Sequence, residues 1–395
     1  MPPKLNPDSV LLAVPIERAM QRILIADDQP HVAEALRLVL KNDGFLTELA
    51  DSPAQILAAA RERPFDLVLL DLNYARDTTS GQEGLELLAE LRALDAALPV
   101  VVMTAWGSIE LAVEAMRQGA RDFIQKPWEN TVLLGKVRKQ IALGDSLRRM
   151  QGLKKQRERE LAEAQQIQNR LLPTQVPQIS GCRIAAASRV ASDLGGDYFD
   201  VMKFSDTRAA VAIADVVGKG LPAALLMSNL QAAVRAYATP ETSPFDLCER
   251  VNRILNANCE VGKYVTFYYL LLDSERGTAD YITAGHHAAV LVRADGTAER
   301  LAEGGPVLGS FQEWKGESGR TGLSSGDRIV LFTDGVTEAA GEDAEEFGEE
   351  RLVQLLSECR GLEPDALLRR VLETVENFGA GALRDDATLL VVAVD

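Results

Sequence analysis

Three histidines and four cysteines in 395 residues leave little material for several common chemistries. The cysteines, Cys182, Cys248, Cys259 and Cys359, show no paired spacing. That argues against a disulfide framework and a zinc site, and fits buried thiols in a cytoplasmic chain. His286 and His287 stand together in a TAGHH turn, and no Ser-His-Asp or Cys-His set can be built around them. No apolar run approaches the roughly 18 residues that a membrane helix needs. The stretch Val10–Ile16 is short, broken by Pro15 and without a small-residue cleavage site, so no signal peptide is expected. Cations are in deficit: 42 Lys and Arg face 58 Asp and Glu, a net charge of −16. Broad nucleic-acid binding, which depends on cations that displace phosphate counterions, is therefore not expected. An excess of carboxylates suits a chain that gathers them around divalent metals, although most acidic surfaces are only solvated.

What remains is a globular composition in a chain too long for one ordinary core. Residues 1–20 are Pro-bearing and aperiodic and are expected to be a disordered tail; Met20, directly before the first strand, is a second candidate start. From Arg22 the chain alternates strand and helix. Strand-like runs lie at Arg22–Ala26, Asp66–Leu70, Pro99–Met103 and Asp122–Gln125, with a weaker one at Leu46–Leu49. Helical patterns such as Val32–Leu40 and Glu83–Leu91 fall between them. This rhythm predicts a doubly wound parallel α/β sheet with its ligand site beyond the carboxyl ends of the strands.

From about 129 to 172 the text is helical and charged until Pro173 and Pro177 end it. Leu143, Leu147, Met150, Leu161, Ala164 and Leu171 fit a 4-3 pattern, but Lys154, Arg157 and Gln168 spoil its seam. The segment reads either as a dimerising coiled coil or as a solvated linker helix. The remainder mixes strands (Ala209–Ala214, Val265–Leu272, Ala288–Val292, Arg328–Phe332, Thr388–Val394) with helices (Pro222–Tyr237, Pro244–Asn256, Pro364–Phe378). Their order is not a strict alternation, which favours an α+β sandwich. The expected divisions are a tail at 1–20, an α/β domain at 21–142, a helical linker at 143–175 and the sandwich at 176–395.

The polar residues of the first domain fall at strand ends. Asp27 and Asp28 follow the first strand, Asp71 ends the third, Thr104 ends the fourth, and Lys126-Pro127 closes the fifth. Three carboxylates in one pocket cannot all ionise cheaply without a cation, so Mg2+ is expected there. Asp71 could then attack a phosphoryl donor while the metal and Lys126 balance charge and Thr104 bonds the new phosphoryl oxygens. Alone, each of these residues would read as a loop or helix cap. Together with ILIADD, LVLLDLN, VVMTAWGS and ARDFIQKPW, they make residues 22–142 resemble a response-regulator receiver domain. The resemblance implies phosphorylation of Asp71, Mg2+ on Asp28, Asp71 and the Asn73 carbonyl with help from Asp27, a switch formed by Thr104 and Phe123, and a sensor histidine kinase as partner. The loop Asn73–Glu83 is longer than the family usually shows.

The second half carries four Asp-bearing segments, three of them with glycine: Gly195-Gly196-Asp197, Asp215 to Gly220, Thr333-Asp334-Gly335, and Asp385-Asp386 after them. Asp-Gly pairs often mark only turns. Bridging carboxylates can also hold two divalent ions about 3.5–4 Å apart, which lower the pKa of a bound water so that hydroxide attacks a phosphoester directly. The segments IQNRLLP, LGGDYFD, IADVVGKGLPAALLM, VTFYYLLLD, ITAGHHAAVL, LFTDGVTEA, FGEERL and RDDATLLVV run in order from about Ala164 to Asp395. They resemble the bacterial branch of the metal-dependent protein phosphatases, typified by the stage II sporulation protein E phosphatase. The resemblance implies two Mn2+ or Mg2+ on Asp197, Asp215, the Val216 carbonyl, Asp334 and Asp385, with Asp386 as the alternative to Asp385. It also implies hydrolysis of phosphoserine or phosphothreonine on a protein, such as an anti-sigma factor antagonist. Arg189 and Lys219 are the candidates for holding the substrate phosphate.

The order of parts suggests that phosphorylation of Asp71 shifts the linker helix, and with it IQNRLLP, to control the second site. A homodimer through that helix is expected. The competing reading is a non-catalytic adaptor, whose mark would be lost metal carboxylates; all four segments keep theirs. A DNA-binding output would need a helix-turn-helix or basic region, and neither is present.

Overall fold

The computed structural model describes residues 20–73, 82–104, 109–191, 194–260, 262–341, 345–379 and 384–395. The tail expected before Met20 and most of the loop Asn73–Glu83 lie outside these residues. The chain divides into two compact units, one up to Arg157 and one from Glu158.

The first unit runs β1 (Arg22–Ala26), α1 (Pro30–Asn42), β2 (Leu46–Ala50), α2 (Pro53–Glu62), β3 (Leu67–Asp71), α3 (Gln82–Leu94), β4 (Val100–Thr104), α4 (Ile109–Arg117), β5 (Asp122–Gln125) and the start of α5 (Asn130–Leu171). All strands are parallel, in the order β2-β1-β3-β4-β5. β3 and β4 are buried at every position. Their continuous apolar runs fit strands covered on both faces, and the two faces feed separate cores. β2 is an edge strand with mostly exposed side chains, which explains its weak signal. This is the expected doubly wound sheet.

The second unit begins with the last turns of α5 and continues through β6 (Cys182–Arg189), β7 (Tyr198–Lys203), β8 (Arg208–Val216), α6 (Leu221–Tyr237), α7 (Pro244–Asn258), β9 (Val265–Asp273) and β10 (Thr278–Ala284). Then come β11 (Ala289–Val292), β12 (Ala298–Leu301), β13 (Gly304–Gly305), β14 (Gly319–Gly322), β15 (Arg328–Phe332), α8 (Asp334–Thr337), α9 (Gly348–Glu358), α10 (Pro364–Phe378) and β16 (Ala387–Val394). One sheet is ordered β13-β10-β9-β8-β7, with β14 on β10; the other is β12-β11-β15-β16-β6.

Period-two alternation assembles the layers. In β8, Ala209, Val211 and Ile213 face the core between the sheets, whereas Ala210, Ala212 and Ala214 face the core under α6 and α7. β16 divides in the same way, with Leu390 and Val392 between the sheets and Leu389 and Val391 under α9 and α10. The result is a helix-sheet-sheet-helix sandwich. All four cysteines are free thiols. Among the described residues no helix is long and apolar enough to cross a membrane.

Candidate active sites: two carboxylate clusters

Parallel strands deliver the first cluster. Asp27, Asp28 and Asp71 each present a carboxylate oxygen within 4.8 Å of the others, at the carboxyl ends of β1 and β3. Lys126 follows β5, across a cis bond to Pro127. Its Nζ donates to Asp27 Oδ2 at 2.7 Å and to Asp71 Oδ2 at 2.8 Å. Burial raises the Asp71 carboxyl above its ordinary range against the pull of Lys126. Burial works to lower the Lys126 ammonium, but Asp71 and Asp27 outweigh it and raise it. Asp28 Oδ1 and Asn73 Oδ1 are buried without a hydrogen-bond partner. Such atoms are costly to leave unpaired, and an oxygen-seeking cation would satisfy them, so the donor set fits Mg2+. The unpaired Asn73 atom is the side-chain oxygen, whereas the sequence pointed to its main-chain carbonyl. Thr104 is buried at the end of β4, and Phe123 is half-exposed on β5 with the Lys136 ammonium 4.7 Å from its ring centre.

Antiparallel register builds the second cluster. Tyr198 pairs with Ala214, so Asp197 and Asp215 lie next to each other where β7 begins and β8 ends. In the other sheet Phe332 pairs with Leu389, which brings Asp334 after β15 beside Asp385-Asp386 before β16. The sandwich then sets the two pairs against each other. Asp215 is pushed up to about 7, first by burial and then by Asp334, Asp385 and Asp386. Burial and Asp385 raise Asp334, and burial above all raises Asp197.

The oxygens are not equally available. Asp197 Oδ2 accepts from the Thr333 hydroxyl at 2.8 Å and the Thr388 hydroxyl at 2.5 Å. Asp386 spends both oxygens on backbone, taking Ala191 N–H at 2.8 Å and Gly196 N–H at 2.9 Å. Asp385 meets Lys219 Nζ at 2.9 Å, and the same ammonium donates to the Arg384 carbonyl at 2.8 Å. The group is the more open of the two: among the described residues only Asp27, Asp28 and Asp71 form a set of three such ligands closed to 4.8 Å.

The glycines make room. A Cβ on Gly196 would stand 3.0 Å from the Val216 carbonyl and 3.4 Å from Asp215 Oδ1; one on Gly335 would stand 2.1 Å from the Asp386 carbonyl. The absence of a Cβ lets these backbones close on the carboxylates, and an all-oxygen donor set fits hard divalent cations. Asp200, the second acid of LGGDYFD, is elsewhere: it is fully buried and bound by Arg235 Nε at 2.7 Å and Nη2 at 2.8 Å. Arg189 is exposed on β6 and pairs with Glu376, not with the cluster carboxylates.

Sequence reasoning left His286 as a turn residue, yet it ties the two sheets together. Its buried ring bonds the Thr266 hydroxyl through Nδ1 at 2.9 Å and the Phe332 carbonyl through Nε2 at 3.1 Å. Thr266 pairs with Asp215 in the β8–β9 register, and Phe332 lies two residues before Asp334. Nε2–H donates to the carbonyl, so the hydroxyl donates to Nδ1. Burial and then His287 push the ring down to about 3. The folded pKa lies below the unfolded value of about 6.5, so the unfolded chain binds the extra proton. The stability contribution is complete above about pH 6.5 and is lost as pH falls toward 3, by up to about 5 kcal/mol. Urea unfolding at pH 7 and pH 4.5 should show this loss, and His286→Gln should flatten it; equal pH dependence in both proteins would contradict the assignment.

Comparison with known proteins bears on both clusters. Residues 23–138 match the response regulator receiver domain family, and residues 205–395 match the family described as stage II sporulation protein E. The phosphoserine phosphatase RsbU of Bacillus subtilis (strain 168) is 31% identical over 245 residues, spanning 62% of this chain and 72% of RsbU. The solved RsbU and RsbW domains of Rv1364c from Mycobacterium tuberculosis superpose with a TM-score of 0.50 at 31% identity, over 57% of this chain and 63% of that one. The SiaA-PP2C domain of Pseudomonas aeruginosa shares the fold, with a TM-score of 0.54 at 19% identity over 62% of this chain and 99% of that one.

Proposed function

Because this chain belongs to the stage II sporulation protein E family and carries a response regulator receiver domain, we propose that it is a phosphatase for phosphoserine or phosphothreonine on a protein, controlled by phosphorylation of Asp71. One observation carries the reading of the second site. Asp334, from the opposite sheet, sits near enough to Asp215 to raise its carboxyl, beside a cavity lined by Lys219, Gly335 and Asp385.

In this reading Asp197, Asp215, the Val216 carbonyl, Asp334 and Asp385 hold two Mn2+ or Mg2+. The cations, when bound, activate water and offset the charge on the transferring phosphoryl group. Asp386 braces the loops at Ala191 and Gly196, and the hydroxyls of Thr333 and Thr388 fix the Asp197 carboxylate. Lys219, on Asp385, brings positive charge to where the substrate phosphate arrives. In the receiver, an Asp71 oxygen bonds phosphorus as the donor's leaving group departs. Lys126 balances the added charge, and Asp27, Asp28, Asp71 and Asn73 would hold a Mg2+ that shares it. Thr104 and Phe123 respond, and α5 carries the change. We place the receiver at 21–142, the linker at 143–175 and the phosphatase at 176–395, in a cytoplasmic homodimer joined through α5. A sensor histidine kinase supplies the phosphoryl group, and an anti-sigma factor antagonist is the substrate; the relative RsbU, by its name a phosphoserine phosphatase, supports phosphoserine as the group removed.

Phosphate release from a phosphoserine-bearing anti-sigma factor antagonist tests this. Release with Mn2+ that stops in EDTA is expected. No release with Mn2+, from either the receiver-phosphorylated or the unphosphorylated chain, would overturn the reading.

A further inference from the structure

In α5, every residue from Gln151 to Glu160 is exposed. From there to Leu171 a single side chain is buried, and it is polar: Gln168, at 7% exposure. An amide buried there without partners would cost free energy that an apolar residue would not. Both polar atoms of the Gln168 side chain are paired. Its Nε2 donates to the Gly195 carbonyl at 2.7 Å, and its Oε1 accepts from the Gly195 N–H at 3.2 Å. The side chain thus pairs with both backbone groups of one residue, as a neighbouring strand would. The residue that spoils the 4-3 pattern of the helix has a use of its own.

Gly195 adjoins the second cluster. The next N–H, on Gly196, donates to Asp386 Oδ2 at 2.9 Å, and the residue after that is Asp197. A Cβ on Gly195 would approach Asp386 Oδ2 to 2.7 Å, so the peptide passes tightly against that carboxylate. Gly196 in turn faces the Val216 carbonyl and Asp215 Oδ1. The loop is therefore held on one side by Asp386 and on the other by Gln168. Around them α5 ends in apolar packing: Leu172 lies against the core between the sheets and the core under α6 and α7, and the Leu171 carbonyl accepts from Gln231 at 3.3 Å.

We propose that Gln168 is a positioning residue, which fixes the Gly195–Asp197 loop against Asp215 and so sets the affinity of the second cluster for divalent cations. The inference rests on the metal-dependent reading of that cluster and names the contact by which a displacement of α5 reaches it. Supporting partners of metal ligands typically change affinity 10- to 100-fold when removed. Gln168→Met keeps the length and bulk and removes the amide; Gln168→Glu keeps one acceptor and sets a carboxylate against the Gly195 carbonyl.

The test is calorimetric titration of the full-length chain with Mn2+, together with hydrogen exchange at the Gly195 and Gly196 amides and a thermal melt. Both variants are expected to bind Mn2+ at least about 10-fold more weakly than the parent and to exchange those amides faster. In turnover, the Mn2+ concentration for half-maximal rate rises, and KM for the phosphoprotein at saturating Mn2+ stays the same. A merely structural role would lower the melting temperature and leave Mn2+ affinity in place, which overturns the proposal. Parental Mn2+ affinity and parental amide exchange in a folded variant overturn it as well, and leave the phosphatase reading standing. A parent chain that takes up no Mn2+ beyond the one ion of the receiver pocket overturns that reading and this inference together.

Discussion

Replacing Asp334 or Asp215 by asparagine is expected to lower phosphoserine hydrolysis by about 10²-fold or more while leaving the fold intact. The two residues come from opposite sheets, and each is the only carboxylate that its own segment brings to the cluster. Neither carboxylate has a structural duty comparable to that of Asp386, whose oxygens take the Ala191 and Gly196 N–H groups. Loss of charge at 215 should therefore cost activity, not architecture. It should in fact help the metal-free protein. Asp215 is buried and pressed by Asp334, Asp385 and Asp386, and an amide of the same shape removes that repulsion. In EDTA the melting temperature of Asp215→Asn should rise, by about 2–4 °C for each kcal/mol relieved in a domain of this size. A variant that is inactive and more heat-stable separates metal binding from folding. Unchanged turnover would remove Asp215 from the mechanism. Asp386→Asn should behave oppositely, with a lower melting temperature, because its carboxylate holds two loop amides.

Asp71→Asn is expected to abolish phosphorylation of the chain by acetyl phosphate, read by intact mass, and to leave phosphatase turnover indifferent to that donor. The Asp71 carboxylate meets Lys126 at 2.8 Å and lies within 4.8 Å of Asp27 and Asp28. No neighbour can take its place as acceptor without disturbing this arrangement: Asp27 is itself bound by Lys126 at 2.7 Å, and Asp28 follows it on the same loop. The parent should take up one phosphoryl group, and its turnover should change. A parent whose turnover is the same before and after phosphorylation would sink the coupling between the units while leaving each site intact.

Much of this was legible from residue order because burial and periodicity agreed. β1 and β5 have the expected bounds, and β3 and β4 differ by one residue at each end. In the second unit the apolar strands β8, β9, β15 and β16 and the amphipathic α6, α7 and α10 appeared where expected. The strands that escaped notice carry weak side-chain signals. β6 is rich in alanine, and β10 mixes threonine and alanine between its larger residues. β13 is two glycines whose pairing with Thr283 and Ala284 is a backbone matter alone.

The clusters were readable as residue types at strand ends, but the division of labour within them was not. Asp385 and Asp386 are indistinguishable in the text; only the fold shows that Asp386 is taken up by amides while Asp385 faces Lys219. Arg189 looked available as a cation and is paired with Glu376 on the edge of β6. Gln168 and His286 left faint signs, a polar residue on a helical seam and a histidine after Gly285. Their partners lie 27 and 46 residues away, at Gly195 and Phe332, where no local pattern reaches.

A crystal soaked in Mn2+ and measured at the manganese absorption edge tests the second cluster most directly. Anomalous peaks are expected among Asp197, Asp215, Asp334 and Asp385, with the Val216 carbonyl in reach and Asp386 still on its two amides. Peaks confined to the receiver pocket at Asp28 and Asp71, with no density between Asp215 and Asp334, would contradict the account.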